Sequence, residues 1–231
     1  NGNEYALIGA WNGTHIIDIN SSTPFEVTFI PGSASTHRDI KSYQDYIYIG
    51  TEANLPDPEL LEQNINYTQP QGIQVVDISD PTSPILVNEW DGVVQSHNIM
   101  EEDGFMYVIG STSYYSVDGT EESWGLDDLI ILDLSDPANP VKIGGWSGVY
   151  IHDVCIFDDV LYGCGIETHD MWAIDISDKT NPQAITSWDG IPSAHACWVS
   201  DDGNTLFTAS ETTGGHIMSW DVTDLENINL L

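Results

Sequence analysis

The sequence predicts an all-β protein, a β-propeller of four-stranded antiparallel blades, from three observations. A segment of two apolar runs around a short polar turn occurs four times, and each time it opens on a histidine. An apolar strand that ends in aspartate follows each segment, and where the chain continues, a polar turn leads into a fourth strand. His152 and His195, at the start of successive copies, are 43 residues apart, which is the period of a propeller blade.

The first two strands of each repeat are predicted to form a β-hairpin. Two apolar runs flank turn-forming residues such as Glu102-Asp103-Gly104 and Asp158-Asp159, which is typical of tightly connected antiparallel strands. In a hairpin the last residue of the second strand lies beside the first residue of the first strand. We therefore expect four pairs of neighbours, which are His37 with Glu52, His97 with Thr112, His152 with Glu167, and His195 with Glu211.

The remaining strands complete the repeat. Third strands are predicted at 72–78, 128–134, 170–176 and 216–222, with a further copy at 15–19. Turns such as SDPTSP and SDPANP follow, in which Asp and Ser cap the turn and Pro stops the strand. The chain thus holds about five blades or part-blades, which we predict to form a single domain over 1–231. Whether a longer protein contributes further blades is left open. Insertions at 53–71 and 113–126 lie between the second and third strands.

Charge is the strongest feature of the composition. There are 37 acidic residues against four basic ones, for a net charge of −33, while 41% of the residues are hydrophobic. Such a chain repels nucleic acid and anionic membranes, favours cations, and suits a marine or saline environment. No stretch approaches the roughly 20 apolar residues of a membrane span.

The chain is expected to act outside the cell. It shows neither an initiator methionine nor a signal peptide, which indicates an excerpt of a longer exported precursor. Three Asn-X-Ser/Thr sequons are glycosylation candidates in an exported protein, at Asn12, Asn20 and Asn66.

The repeated histidines are the main candidates for function. In a propeller the first strand of each blade lines the central channel, so His37, His97, His152 and His195 are expected around one mouth, with three glutamates one strand outward: Glu52, Glu167 and Glu211. Imidazoles and carboxylates that converge are ligands for a divalent metal, either calcium or a transition metal such as zinc. His15, His169 and His216 begin third strands and are expected farther out.

Two alternatives to a metal site remain open. A histidine that recurs with the repeat can bond the backbone of the neighbouring blade and lock one blade to the next. A metal-free catalytic base is a further alternative, and no catalytic residue is assigned.

Other constellations favour structural roles. Turn capping accounts for the paired aspartates of the SDP turns without calcium, and Trp90, Trp146 and Trp188 are expected to wedge between blades. Cys155 and Cys164 lie on the two strands of one hairpin. A disulfide between them and buried free thiols both remain possible.

The strand endings VVDISDP, ILDLSDP and AIDISDK are similar to those of the LVIVD-repeat β-propellers. Nearly the whole chain resembles the choice-of-anchor B family of surface proteins, through stretches such as EYALIGAWNGTHIIDI and YIHDVCIFDDVLYGCG. The resemblance implies an exported propeller held at the cell surface, with no established catalytic activity. No anchor matching that family is found in this chain.

The sequence therefore favours an extracellular or cell-surface acidic propeller that acts as a binding or scaffolding module, with a protein or glycan bound on the face of the loops 53–71 and 113–126. One rival is a metal-dependent hydrolase or oxidoreductase in which Glu167 or Glu211 is the general base. The other is a structural subunit that self-assembles into a surface layer or fibre.

Overall fold

Nineteen strands arranged in five sheets make up the computed structural model, which describes residues 3–53, 72–111 and 127–231. In each sheet the strands are antiparallel and follow one another in chain order. The insertions predicted at 53–71 and 113–126 lie, apart from Ala53, outside the described residues.

The first three sheets contain eleven strands. The first sheet has β1 (Tyr5–Ala10), β2 (Gly13–Asp18) and β3 (Phe25–Pro31). The second has β4 (Arg38–Tyr43), β5 (Tyr46–Thr51), β6 (Ile73–Asp77) and β7 (Ile85–Trp90). The third has β8 (Asn98–Glu102), β9 (Phe105–Ile109), β10 (Leu129–Asp133) and β11 (Val141–Trp146).

The last two sheets contain eight strands. The fourth sheet has β12 (Val154–Phe157), β13 (Val160–Gly165), β14 (Asp170–Asp175) and β15 (Gln183–Asp189). The fifth has β16 (Ala194–Val199), β17 (Thr205–Ser210), β18 (Ile217–Asp221) and β19 (Asn229–Leu230). The predicted fold class is confirmed: the chain is all-β and consists of repeated antiparallel sheets of the propeller-blade type.

Two-residue turns close the hairpins of the second, third and fourth sheets, while residues 200–204 connect the first two strands of the fifth. Asp158 and Asp159 have φ angles of 49° and 61°, and Asp103 and Gly104 have 51° and 79°. Positive φ at both central residues is the geometry whose twist matches that of paired strands, and Asp and Gly adopt it most easily. The register is thereby set, and Arg38 pairs with Thr51 across the second sheet.

The described residues fall into two compact units. The first contains 3–53, 72–104, 111 and 134–141, and the second contains 105–110, 127–133 and 142–231. The prediction of a single domain over the whole chain stays a prediction.

Each unit has an apolar core formed where one sheet faces the next. In the first unit Ile16 and Ile30 of the first sheet pack against Ile47, Ile49 and Val76 of the second. In the second unit the fourth sheet contributes Cys155, Tyr162, Cys164, Met171 and Ala173, and the fifth contributes Cys197, Val199, Leu206 and Trp220. Alternate strand positions on each sheet therefore provide the packing surface.

The three cysteines lie in the core of the second unit as free, buried thiols. Cys155 and Cys197 belong to facing sheets. The Cys197 thiol and burial raise the pKa of Cys155. The Cys155 thiol lowers the pKa of Cys197, but the Cys164 thiol and burial outweigh it and raise that pKa. They act as small apolar residues, since a thiol with a raised pKa is poorly reactive.

Tryptophans mark contacts between successive sheets in the second unit. The ring centroids of Trp146, at the end of β11, and Trp172 of β14 are 5.3 Å apart. Those of Trp188 of β15 and Trp220 of β18 are 6.2 Å apart. This is the wedging predicted for the ends of the fourth strands.

Aspartates cap the turns that follow the third strands. Asp80 accepts hydrogen bonds from the backbone N–H and hydroxyl of Thr82, and Asp178 accepts the same pair from Thr180. These bonds hold the pKa of both carboxyls below the ordinary value, and Asp77, Asp175 and Asp221 behave alike. Capping thus accounts for the paired aspartates.

Acidification is expected to destabilise the protein through these turns. A carboxyl whose pKa is lowered by folding contributes stability above its unfolded pKa of about 3.9, and the contribution is lost as the pH falls through the folded value. The free energy of unfolding should therefore decrease between about pH 5 and pH 3. Urea titrations in about 1 M salt, where charge repulsion is screened, measure this. A free energy of unfolding that stays constant over this range would contradict the capping role.

Candidate metal centres

Two clusters of two histidines and one glutamate lie at strand ends, one in each compact unit. The first cluster is His37, Glu52 and His97, and the second cluster is His152, His195 and Glu211. In each, one nitrogen or oxygen atom from every member lies within 4.8 Å of the others. Among the described residues, two groups of three or more His, Cys, Asp or Glu side chains are close enough to hold an ion, and they are these two clusters.

Hairpin geometry brings the first cluster together. His37 immediately precedes β4 and Glu52 immediately follows β5, so the pairing of Arg38 with Thr51 places them side by side. His97 precedes β8, the first strand of the next repeat. The glutamate of one repeat therefore meets the histidines of two repeats.

Contacts in the first cluster orient its rings. Nδ1 of His97 lies 2.6 Å from Oε1 of Glu52, and the rings of His37 and His97 stack with centroids 4.4 Å apart and an angle of 12°. A carboxylate that accepts from Nδ1–H leaves the lone pair of His97 on Nε2, the arrangement that supports metal ligation. Nε2 of His37 is buried and has no hydrogen-bond partner. Burying such a group without a partner is costly.

A β-bulge shapes the second cluster. Ala194 pairs with Ser210 and Ala196 pairs with Ala209, so His195 is the extra residue between them. Bulges redirect a side chain at a strand end and are frequent beside functional sites. Glu211 follows β17 directly, and its carboxylate Oε1 lies 3.7 Å from Nε2 of His195.

His152 is the buried member of the second cluster. It is 8% exposed, whereas the side chain of Glu211 is 60% exposed. Nδ1 of His152 lies 3.0 Å from the backbone oxygen of His195. Because a carbonyl oxygen only accepts, Nδ1 carries the proton and Nε2 carries the lone pair. The bond joins successive repeats, as the locking alternative describes, and it also fixes the tautomer that binds metal through Nε2.

Six of the seven predicted metal ligands lie in these clusters. Glu167 does not: it is exposed in the turn between β13 and β14. Thr112, expected beside His97, lies outside the described residues. The sequence pairs Glu52 with His37 alone, and its bond to His97 could be found only from the way successive repeats pack.

The other three histidines have separate environments. Nδ1 of His15 lies 3.0 Å from Oε2 of Glu26, and His216 is exposed. His169, with a φ of 63°, accepts a hydrogen bond on Nδ1 from the backbone N–H of Ser193. It lines an open pocket of about 490 Å³ with Asp189 and Ile191.

Two glycosylation candidates are described. Asn12 is exposed in the turn between β1 and β2. The amide of Asn20 donates to the backbone oxygen of Glu4 and to the carboxylate of Asp18 and accepts from the N–H of Glu4, so a glycan on its nitrogen would remove one of the two donated bonds. Asn66 lies outside the described residues.

The repeats define the class of the protein. LVIVD repeats match residues 2–29, 68–91 and 125–146. The chain therefore contains LVIVD repeats within a fold of the β-propeller type. A search of curated proteins found no match.

Solved structures share the fold at low sequence identity. A protein of unknown function from Desulfotomaculum acetoxidans matches 99% of this chain and 65% of its own length, at 12% identity and a TM-score of 0.64. A candidate 6-phosphogluconolactonase from Bacteroides uniformis matches 100% of this chain and 67% of its own, at 10% identity and a TM-score of 0.71. The chain thus spans about two thirds of the length of these structures, and the likeness shows the fold alone.

Among the described residues, no helix is long and apolar enough to cross a membrane.

Proposed function

We propose that this LVIVD-repeat protein is a binding module in which the two clusters hold divalent transition-metal ions. The observation that carries the proposal is that the same donor set, two imidazoles and one carboxylate within 4.8 Å, occurs at two places where successive repeats meet. Three protein ligands with remaining open positions are the arrangement of an exchangeable or reactive metal rather than a closed structural site.

The donor atoms favour zinc or a similar transition metal over calcium. Calcium takes six to eight oxygen ligands, whereas each cluster offers two nitrogen donors for each carboxylate. The net charge of −33 raises the local concentration of any cation. Selectivity must then come from the imidazoles.

The chain composition supports a place outside the cell. An extreme acidic charge suits a saline environment, and the exposed Asn12 sequon suits an exported protein. The resemblance to the choice-of-anchor B surface proteins points the same way. The module would present a protein- or glycan-binding face that includes the loops at 53–71 and 113–126, and self-assembly of such modules is compatible with it.

One observation favours a second candidate function, metal-dependent hydrolysis or oxidoreduction at the second cluster. His195 and Glu211 are partly open to solvent there, with side chains 40% and 60% exposed, so a substrate has access. An ion held by three ligands lowers the pKa of a bound water and supplies a nucleophile. In that arrangement Glu211 is a ligand, and Glu167 lies outside the cluster.

Metal stoichiometry tests the proposal. Equilibrium dialysis against Zn²⁺ or Co²⁺, with Mg²⁺ in excess to occupy surface carboxylates, should give one ion for each of the two clusters. His37→Ala with His97→Ala should remove one ion, and His152→Ala with His195→Ala the other. We expect each loss to weaken affinity more than about 100-fold, since losing only an outer-sphere partner already costs 10–100-fold.

His15→Ala with His216→Ala is the matched control, because it removes two histidines outside the clusters. A stoichiometry that falls equally in this control, or that no histidine substitution changes, rules the proposal out.

A further inference from the structure

A pocket in the first unit is lined in part by Arg38, the only arginine of the chain. It has a volume of about 400 Å³ and is lined by seven residues: Gly9, Ala10, Trp11, Ser35, Thr36, His37 and Arg38. We call it the Arg38 pocket. His37 also belongs to the first cluster, so the two features are neighbours.

The charge of Arg38 is not neutralised by any carboxylate in the described part of the chain. Its Nε donates to the backbone oxygen of Ala10 at 3.1 Å, and its Nη2 donates to that of Ser33 at 2.6 Å. Its Nη1 is buried and has no hydrogen-bond partner. Burial lowers the pKa of the guanidinium, which remains charged because its ordinary value is far above neutrality. A partly buried cation without a counter-charge is costly to fold.

This lack of a partner is unusual in so acidic a chain. The protein has 37 acidic residues for a single arginine. The nearby carboxylates are engaged elsewhere: Glu52 bonds His97, and Asp39 bonds Lys41 and the backbone N–H of Ile99. The guanidinium is thus a local positive charge that the acidic side chains of the described residues do not pair with.

The rest of the pocket can hold the remainder of a small molecule. Trp11 lies in the two-residue turn between β1 and β2, and its side chain is 59% exposed. An exposed indole beside a cation offers a flat apolar surface next to a charge. Thr36 is also exposed and offers a hydroxyl group.

We infer that the Arg38 pocket binds a small organic anion that carries a carboxylate or a phosphate group. Arg38 attracts the anionic group, Thr36 supplies a hydrogen bond, and Trp11 packs on the apolar part. Arg38 can attract either kind of oxyanion through its charge, since its Nε and Nη2 already donate to backbone oxygens and its Nη1 is buried. The site does not depend on a metal in the first cluster.

Ligand binding to metal-free protein tests the inference separately from the metal proposal. Metal is removed by chelator and the chelator by gel filtration, and calorimetry then measures binding of benzoate, phenyl phosphate, inorganic phosphate and neutral benzyl alcohol. We expect at least one of the anions to bind and benzyl alcohol not to bind. Arg38→Met should weaken anion binding at least about tenfold, the usual size of the effect when an interaction with a charged group is lost.

Lys142→Met is the matched control, since it removes the same charge from a residue that pairs with Asp127 and does not line the pocket. It should leave the affinity unchanged. Binding of none of the anions, or equal weakening by the two substitutions, overturns the inference.

Trp11→Ala distinguishes the sources of the anion. It should weaken benzoate and phenyl phosphate by roughly two- to tenfold, through loss of ring packing, and leave inorganic phosphate unaffected. Preference for phenyl phosphate over benzoate assigns a phosphate ligand, and the reverse assigns a carboxylate. Because Trp11 is exposed in a turn, this variant should fold even where Arg38→Met does not. Unchanged affinity for both aromatic anions, together with amide NMR shifts that map away from Trp11 and Arg38, also contradicts the inference.

Discussion

Replacing Tyr162 by alanine is expected to lower the free energy of unfolding by about 3–5 kcal/mol. Tyr162 is 3% exposed and packs in the core between the fourth and fifth sheets, beside Cys155 and Cys197. Removing its ring leaves a cavity between two sheets that are each held by their own backbone bonds, so they cannot fully close over it. Urea unfolding followed by circular dichroism measures the change.

Phe207→Ala is the matched control. Phe207 pairs with Trp198 in the fifth sheet as Tyr162 pairs with Cys155 in the fourth, but it is 42% exposed. Its loss should cost less than about 1 kcal/mol, as is usual for exposed positions. Equal effects of the two substitutions would mean that packing between sheets does not determine the stability of this unit.

Much of the fold could be predicted from local sequence. The turn at Asp158-Asp159 requires positive φ at both residues, and Asp adopts that conformation at low cost, so a two-residue hairpin follows from the sequence alone. Its alternating apolar positions then determine which face packs on the next sheet. The aspartate-capped turns follow in the same way, because Asp178 and Thr180 interact over two residues of chain.

The candidate site was predicted in its residue types and only partly in its contacts. A hairpin rule places Glu52 beside His37, but the bond from Glu52 to His97 depends on how two repeats pack. The bulge that leaves His195 unpaired in the ladder carries no signal in composition. The Arg38 pocket was missed because it depends on an absence, the lack of a carboxylate bound to Arg38 among the residues that the structure describes, and a sequence does not show which of 37 acids are near.

His152 shows that locking and metal ligation are compatible in one residue. An imidazole has two nitrogens with different tasks. Nδ1 donates to the backbone oxygen of His195 and joins two repeats, while Nε2 carries the lone pair that a metal requires. The two roles are therefore separable by substitution, because the acceptor of the lock is the backbone of His195 and the second proposed ligand is its side chain.

We expect His195→Ala to abolish the stabilisation that a bound metal gives. His152→Ala should abolish that stabilisation and also remove the hydrogen bond that locks the two repeats. The comparison uses a background in which His97→Ala has disabled the first cluster. An ion at 100 times its dissociation constant stabilises the folded state by about 2.7 kcal/mol, and either substitution should abolish that gain. In metal-free protein His195→Ala keeps the backbone acceptor, so His152→Ala should be less stable than it by at least about 1 kcal/mol, because one hydrogen bond and the packing of a buried ring are both lost.

Thermal unfolding with zinc and with chelator measures the two roles at once, with the exposed His216→Ala as control for histidine loss. If zinc still stabilises the His195→Ala protein in this background, the second cluster is not a metal site. If the two substitutions are equally stable without metal, Nδ1 of His152 does not lock the repeats. In the proposed site zinc and the lock use different nitrogens of one ring, so a locked ring should bind the ion more tightly than a free one. The lock fixes the tautomer and orientation before the ion arrives, and that ordering then costs nothing on binding.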